Sequence, residues 1–437
     1  MIERTGVLIG TIVNPAGLTL AKVVSDSAAA RFADPGLGAS PTWHAFAIDR
    51  AGIAFTESIT VVGDQRLRID RHAQRPIAEK LSWAPASFYD QDGNRVPHCA
   101  RGTLTRVQAQ LEEAGYEARV GHEIEFLLVD PAGERLPGQL WAQYGLAGVL
   151  EFENFVRDVM AAMAASGVTV EQFHPEYGVN QFEMSLAPAP PVEAADQLVL
   201  ARMLIGRVAR AHGIRVSLSP VPFAGSVGSG AHQHFSLQRH SLSLGGAPMF
   251  SGGTGPHGLT QEGGAAIGGI VAGLTEAQLI LCGSIVSGLR MQPGNWAGAH
   301  ICWGTENREA AVRFLPATHG NPHGANVEVK VVDPSANPYL ATATILGLAL
   351  DGIERGFALP PEVSVDPRSL PDDQRVAVLT DQQAESIAAL DHSDLLRGIL
   401  GDPVVDATVA VRRYEHDTYG DLSPQELTDQ FRMAWSL

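Results

Sequence analysis

Two kinds of hydrophobic pattern divide the chain. Near the N-terminus, apolar residues alternate with polar ones or run together over four short segments bounded by turn residues: 6–14, 43–49, 52–62 and 85–89. These patterns predict strands, and therefore a small, mostly β unit. A helical spacing appears first at Leu104, Val107 and Leu111, and it predicts a helix over 103–114 with Thr103 as its N-cap.

The change of pattern places a predicted domain boundary near 98–102, just after an Asp-Gly turn at 90–94. We therefore expect one domain over 1–100 and a second over 101–437. In the second, the pattern predicts helices at 152–166, 192–212 and 266–289, strands at 215–222, 231–237, 309–314 and 326–332, and a long exposed loop at 239–265. The remainder is predicted to be mainly helical.

Charged residues interrupt one of the apolar, β-prone runs, at 121–129. Because side chains alternate along a strand, Glu123 and Glu125 share one face while Ile124 and Phe126 share the other. A lone Glu-x-Glu pair is most often a solvated edge of a sheet. Two adjacent carboxylates on a buried face instead repel each other unless a positive group lies between them.

Similar pairs recur along the chain, and they favour a buried face with positive groups between the carboxylates over a solvated edge of a sheet. They are Glu176 near Glu183, His232 with His234, and Glu328 with Lys330, and three arginines follow in the same half of the chain, Arg290, Arg308 and Arg313. Carboxylates with one imidazole form a hard ligand set that suits Mg²⁺ or Mn²⁺ rather than a zinc site. Arginines grip phosphates or carboxylates with two hydrogen bonds. Together these residue types predict phosphoryl transfer from a nucleotide.

Composition and charge disfavour a nucleic-acid-binding protein, a membrane protein and a disulfide-bonded protein. The chain has 437 residues, a net charge of −17 and 45% hydrophobic residues, which is a globular composition that disfavours nucleic acid as a partner. No apolar run is expected to cross a bilayer, and the start of the chain lacks a signal-peptide pattern. The cysteines Cys99, Cys282 and Cys302 cannot all pair and show no metal spacing, so we expect a cytoplasmic protein.

The order and spacing of these motifs resemble glutamine synthetase. The matching segments are Gly-His-Glu-Ile-Glu-Phe at 121–126, Glu-Tyr-Gly-Val-Asn-Gln-Phe-Glu at 176–183, Gly-Ser-Gly-Ala-His-Gln-His at 228–234, the arginine series, and Asp-Pro-Ser-Ala-Asn-Pro-Tyr-Leu at 333–340. The resemblance covers residue 100 to the C-terminus. It implies an α+β fold with a small β-grasp N-terminal domain and a catalytic domain built on a curved antiparallel sheet flanked by helices. It also implies a homo-oligomer, a dodecamer of two stacked hexameric rings.

The resemblance further implies ATP and two or three Mg²⁺ or Mn²⁺ ions as cofactors, with L-glutamate and an amine or ammonia as substrates. It implies that Glu125, Glu176 and Glu183 hold one metal ion and that Glu123, His232 and Glu328 hold a second. Gly228, Arg290 and Lys330 would contact glutamate, Tyr144 would contact substrate, His234 and Arg308 would contact the phosphates, and Ser236 would lie near the nucleoside. Arg313 would act in catalysis together with Glu176 and Arg308.

Departures from the family pattern concern the amine and the phosphates. Position 330 is Lys where Arg is common, position 227 is Val where Asn is common, and position 326 is Asn where an ATP-contacting Arg is often found. No counterpart of the tyrosine-bearing regulatory loop is evident. The N-terminal run that supplies an aspartate to the ammonium site in the family is replaced here by Gly-Leu-Gly-Ala-Ser-Pro-Thr-Trp at 36–43.

These departures resemble the branch that joins glutamate to organic amines, the γ-glutamylamide synthetases. Tyr144, Trp141 and Trp43 would then form an aromatic wall for the amine. The alternative within the family is a true glutamine synthetase that uses ammonia, with Asp34 or Asp49 supplying the missing charge. A non-catalytic member that acts as a structural or regulatory assembly is a third possibility, although all the metal-ligand positions are retained.

Overall fold

The computed structural model of the protein describes residues 6–137, 140–240, 246–321 and 324–437. The N-terminal part forms a six-stranded sheet with one short helix. Its elements are β1 (Val7–Val13), β2 (Thr19–Ser25), α1 (Ala29–Ala33), β3 (Leu37–Ala39), β4 (Gln65–Ile69), β5 (Arg75–Ala78) and β6 (Leu81–Tyr89). The strand order is β2-β1-β6-β4-β3 with β5 beside β6, and the central β1 and β6 run parallel. This is the expected β-grasp arrangement.

Close packing of the helix on the sheet explains one residue choice in β1. A Cβ at Gly10 would lie 2.5 Å from the Phe32 ring, so the strand must have glycine where α1 crosses it. Leu8, Leu67 and Phe88 complete this small core together with Phe32.

The prediction of strands at 43–49 and 52–62 is wrong. Residues 41–44 form a 3-10 helix that begins at Pro41, and only an isolated bridge between Phe46 and Ile53 remains of the predicted pairing. The Asp49 carboxylate accepts hydrogen bonds from the backbone N–H groups of Ala51 and Gly52 and turns the chain there. The more polar strands β2, β4 and β5 were not predicted, because their apolar alternation is weak.

Within the described residues, the second sheet has nine strands and carries the acidic and histidine motifs identified in the sequence. Its strands are β7 (Tyr116–Val129), β8 (Val170–Pro175), β9 (Gln181–Leu186), β10 (Arg215–Ser217), β11 (Gln233–Arg239), β12 (Ala247–Pro248), β13 (His300–Thr305), β14 (Ala310–Leu315) and β15 (Asn326–Val329). The main path is β13-β14-β15-β11-β7-β9-β8, with β10 beside β7 and β12 beside β11. All its pairs are antiparallel except β13 with β14.

Helices flank this sheet and bury its apolar side. They are α2 (Ala100–Glu113), α3 (Leu146–Glu151), α4 (Glu153–Ala165), α5 (Pro191–Ala211), α6 (Gln261–Cys282), α7 (Pro338–Glu354), α8 (Gln383–Asp391), α9 (Asp394–Leu400), α10 (Asp402–Tyr419) and α11 (Pro424–Phe431). Helices α6 and α7 approach so closely that a Cβ at Gly269 would lie 2.7 Å from the Cα of Gly352.

Three predictions that involve helices α2 and α6 need correction. The N-cap of α2 is Cys99, whose sulfur accepts from the Gly102 N–H, while Thr103 lies buried inside the helix. The predicted loop 239–265 ends early because α6 begins at Gln261, and its residues 241–245 lie outside the described part. Helix α6 is long and apolar enough to cross a bilayer, contrary to the expectation from the sequence, but 78% of its most apolar window is buried inside the protein. It is the core helix of this fold.

Candidate active site

Strand pairing brings the distant acidic motifs onto one face of the second sheet. Glu125 of β7 lies directly opposite Glu183 of β9, and Glu123 follows two residues earlier on the same face of β7. On the other side of β7, His234 of β11 pairs with Glu328 of β15. Arg313 of β14 lies opposite the same Glu328.

A cavity of about 1270 Å³ opens above this face. Its lining includes 13 of the 14 site residues predicted from the sequence, namely Glu123, Glu125, Tyr144, Glu176, Glu183, Gly228, His232, His234, Arg290, Arg308, Arg313, Glu328 and Lys330. The exception is Ser236, which follows His234 by two positions on β11 but does not line the cavity.

Three groups of side chains place their ligand atoms within 4.8 Å of one another, close enough to hold a metal ion. They are Glu123 with Glu183 and His232, Glu123 with His234 and Glu328, and His174 with Glu176 and Glu183. The second metal site implied by the sequence, Glu123 with His232 and Glu328, is also compact. The His232 Nδ1 lies 2.9 Å from Glu123 Oε2 and 3.4 Å from Glu328 Oε1. The sequence analysis missed His174, which lies at the end of β8 with its Nε2 3.1 Å from Glu176 Oε1.

Glu125 belongs to none of these three groups. Its Oε2 accepts hydrogen bonds from the Gly230 N–H at 2.9 Å and from the Gln181 side chain at 3.2 Å. The same Gln181 amide donates to the Gly228 carbonyl and accepts from the Gly178 N–H. Gln181, which is buried, therefore ties the acidic face to the glycine loop at 228–230 and to the turn after Glu176.

The carboxylates repel one another strongly. Burial raises the pKa of Glu183 well above its ordinary value, and the charges of Glu123, Glu125 and Glu176 raise it further. A divalent cation would remove this repulsion, and oxygen ligands with an imidazole are the donors that Mg²⁺ and Mn²⁺ accept. The residues present therefore fit the metal ions that the sequence motifs imply.

Glu328 has a different environment, although it is almost completely buried. It accepts hydrogen bonds from Lys330 Nζ at 3.2 Å and from Arg313 Nη1 at 3.1 Å. Burial opposes its ionisation, but the charges of Lys330, His234 and His232 lower the pKa of Glu328 to about 2. Glu328 is thus ionised and links the acidic half of the cavity to its cationic half.

Arginines complete the cationic half of the cavity, and an asparagine orients one of the histidines beside it. The Arg290 guanidinium donates to the carbonyls of Lys330 and Val331, each at 3.1 Å, so it holds the end of β15 as well as facing the cavity. Arg308 is exposed at the cavity wall. Asn326, which stands where the family often has Arg, accepts a hydrogen bond from His234 Nδ1 at 2.8 Å and orients that imidazole.

The aromatic residues at the open end of the cavity differ from those predicted. Tyr144 lines the cavity together with Tyr177 and Trp296, which the sequence analysis did not identify. Trp141 lies behind the wall, where its ring packs on Phe182 and its indole N–H donates to the Glu176 carbonyl. Within the chain, Trp43 packs against Phe88 in the first sheet.

Neither aspartate considered for the ammonium site reaches this cavity within one chain. The Asp49 carboxylate is occupied by two backbone N–H groups and by the hydroxyls of Tyr414 and Tyr419. The Asp34 side chain is 83% exposed and lies 3.6 Å from Arg68.

Comparison with known proteins agrees with this geometry. The family described as "Glutamine synthetase, catalytic domain" matches residues 97–429. Gamma-glutamylpolyamine synthetase GlnA3 of Streptomyces coelicolor is 35% identical over 434 residues, covering 97% of this chain and 92% of the relative. A glutamine synthetase of Clostridium saccharobutylicum is 28% identical and covers 79% of this chain and 78% of its own.

Solved structures share the whole fold. The crystal structure of a novel glutamine synthase homolog superposes with a TM-score of 0.88 at 26% identity and covers 100% of both chains. A GmaS/ADP complex gives a TM-score of 0.84 at 22% identity, with 96% of this chain and 95% of that chain covered, which is a likeness of fold. The chain is a member of the glutamine synthetase family, and it is an enzyme of the glutamate–amine ligase type.

Proposed function

We propose that this protein uses ATP to join the γ-carboxylate of L-glutamate to an organic amine. ATP first transfers its γ-phosphoryl group to the carboxylate oxygen, which gives γ-glutamyl phosphate and ADP. The nitrogen of the amine then forms a bond to the carbon of the γ-carboxyl group while the bond from that carbon to the phosphate oxygen breaks. Phosphate leaves with the electron pair, and the ammonium form of the amine loses two protons overall.

One observation carries this proposal: a cluster of buried carboxylates and a set of buried cations line the same cavity and meet at Glu328. A carboxylate is a poor electrophile and a nucleotide phosphate is highly anionic, so both need neutralisation before they react. Divalent metal ions, when bound, supply part of that positive charge. Glu125, Glu176 and Glu183 would hold one ion, and Glu123, His232 and Glu328 a second; His174 is a candidate for a further contact.

The remaining roles follow from position and charge. Arg313, bound to Glu328 and to Glu306, is the residue we assign to the phosphoryl group during transfer, together with Arg308, which lines the same cavity. His234 would contact the phosphates, and Ser236 would lie toward the nucleoside. Gly228, Arg290 and Lys330 would bind glutamate, and Lys330 would do so as a point charge without the fork geometry of arginine.

An organic amine suits the acceptor end better than ammonia does. Ammonium needs a compact anionic pocket that concentrates the cation and takes its proton. Among the described residues here, Glu176 is the carboxylate next to an aromatic wall, and its Oε2 already accepts from the Tyr177 N–H at 3.0 Å. The Streptomyces coelicolor relative is named as a synthetase of γ-glutamylpolyamines, so polyamines are the first acceptors to test.

We also propose a cytoplasmic homo-oligomer, a dodecamer of two stacked hexameric rings, with domains at 1–100 and 101–437. Apolar side chains on the surface support an assembly, since Val61 and Val62 are each 78% exposed and Leu146 is 68% exposed. Strand β1, in contrast, is largely buried within its own chain and offers little surface for such a contact.

The test of the function is phosphate release by the full-length protein with ATP, Mg²⁺ and L-glutamate against a panel of amines and ammonium. We expect glutamate-dependent release with at least one organic amine and a lower kcat/KM for ammonium. The matching γ-glutamylamide identified by mass spectrometry would establish the product. A kcat/KM for ammonium equal to or above that for every amine would identify a true glutamine synthetase. No glutamate-dependent release with any acceptor would refute the ligase proposal.

A further inference from the structure

Three aromatic side chains form a continuous wall at the acceptor end of the cavity, beside Glu176. The Tyr144 and Tyr177 rings lie 5.9 Å apart with an interplanar angle of 86°, and the Tyr177 and Trp296 rings lie 4.8 Å apart at 80°. Such edge-to-face contacts fix the rings relative to one another. Tyr144 is 56% exposed and Trp296 is 43% exposed, so the wall is open to a ligand.

The backbone holds two of these residues in a conformation that side chains rarely adopt. Tyr144 has φ 55° and Trp296 has φ 54°, in the left-handed region. A bulky residue is strained in that region and persists there only where its surroundings impose it. An aromatic side chain kept in such a conformation at a cavity wall is better explained by a ligand than by folding.

The contacts that impose this conformation are buried. The carboxylate of Glu309, which is 6% exposed, accepts from the N–H of Trp296 at 3.2 Å and from the N–H of Gly294 at 3.1 Å. The loop that carries Trp296 is therefore held by a buried acceptor in the turn just before β14. The N–H of Tyr144 donates to the Pro175 carbonyl at 3.2 Å, at the end of β8.

The charges around the wall favour a cation over its faces. Glu176 lines the same cavity, and its Oε2 accepts from the Tyr177 N–H. Arg308 is a cation on the cavity wall near Tyr144. The N–H groups of Tyr177 and Trp296 each donate to a carboxylate, those of Glu176 and Glu309. We therefore place a positive ligand group at the Tyr177–Trp296 pair and the aliphatic chain against Tyr144. The π face of tryptophan is the strongest cation acceptor among aromatic side chains.

Building on the function proposed above, we infer that Tyr177 and Trp296 select acceptor amines whose aliphatic chain carries a second, protonated amine, that is, a diamine or polyamine. One nitrogen of such a substrate attacks the γ-carboxyl carbon, while the distal ammonium lies over the aromatic faces. The wall acts on binding and not on the bond-forming step. It therefore lowers KM for the diamine and leaves kcat unchanged.

The test compares 1,4-diaminobutane with n-butylamine, which has the same chain without the second charge, and with hydroxylamine, which is too small to reach the wall. A cation–π contact of about 1–2 kcal/mol corresponds to a preference of roughly five- to thirtyfold for the diamine. Trp296→Ala should bring the diamine to monoamine ratio of kcat/KM close to one by raising KM for the diamine. Activity with hydroxylamine should stay within about threefold, and Trp296→Phe should retain part of the preference.

The control is Tyr89→Ala, which removes an aromatic ring with cationic neighbours in the first sheet, outside the cavity, and should leave the ratio unchanged. Equal kcat/KM for the two amines in the wild-type protein, or an unchanged ratio in an active Trp296→Ala variant, would overturn the inference while the ligase function stands. If no acceptor, hydroxylamine included, supports glutamate-dependent phosphate release, the function itself is wrong and this inference is wrong with it.

Discussion

Replacement of Glu183 by glutamine should have opposite effects on stability and on activity. Glu183 is 8% exposed, lies opposite Glu125, and belongs to two of the three groups of potential metal ligands. Glutamine keeps its shape but removes one charge from a set of mutually repelling carboxylates. We therefore expect Glu183→Gln to raise the melting temperature of the metal-free protein, because burial and the neighbouring carboxylates disfavour the ionised side chain.

Activity should fall because the same charge is needed for metal binding and transfer. Two unit charges about 4 Å apart interact by about 4 kcal/mol at an effective dielectric constant of about 20. A loss of that size in transition-state stabilisation lowers the rate by about a thousandfold. Mg²⁺ should also stabilise the variant less, whereas saturation of the wild-type site at about 100 times its Kd adds about 2.7 kcal/mol.

The assay combines amine-dependent phosphate release with thermal melting over a Mg²⁺ titration. Glu171→Gln is a suitable control, since Glu171 is an exposed acid on the neighbouring strand β8 and should change neither readout. Turnover of Glu183→Gln within tenfold of the wild-type value would refute the assignment as a metal ligand. A lower melting temperature without Mg²⁺ would show that the carboxylates are not repelling one another.

Three further predictions concern the arginines, the assembly and pH. Arg313→Ala should lower kcat, and Arg290→Lys should mainly raise KM for glutamate, as steady-state kinetics will show; the reverse pattern would mean that the two roles are exchanged. Light scattering should find a large ring oligomer, and a fully active monomer would contradict it. Burial lowers the pKa of His44 to about 3, although its hydrogen bond to Gln65 opposes this. Between pH 6.5 and pH 3 the His44 side chain therefore binds a proton in the unfolded chain but not in the folded one. The free energy of unfolding decreases as the pH is lowered through that window, by about 2 kcal/mol from pH 6.5 to pH 5. His44→Asn should flatten this slope in urea unfolding, and an unchanged slope would locate the acid sensitivity elsewhere.

The sequence by itself determined the family, the fold class and the residue types of the site. The pattern at 121–126 with the motifs at 176–183 and 228–234 identified glutamine synthetase, and the family match over 97–429 confirms it. Period-two alternation also located β7, because a strand with one acidic and one apolar face leaves a strong signal over a few residues. Local signals failed where a turn decided the outcome, as at Asp49, whose side chain turns a segment that otherwise reads as a strand.

Only the tertiary structure decided which residues meet. Sequence spacing cannot show that His234 and Arg313 both lie opposite Glu328, since this register is set by packing of the whole sheet. Nor could it distinguish Trp141, which lies behind the wall, from Trp296, which faces the cavity. Trp296 is 152 residues from Tyr144 in the chain, and it reaches the wall because buried Glu309 holds its loop. Such long-range contacts leave no periodic signal, because they depend on where separate elements pack and not on the order of residues within any one of them.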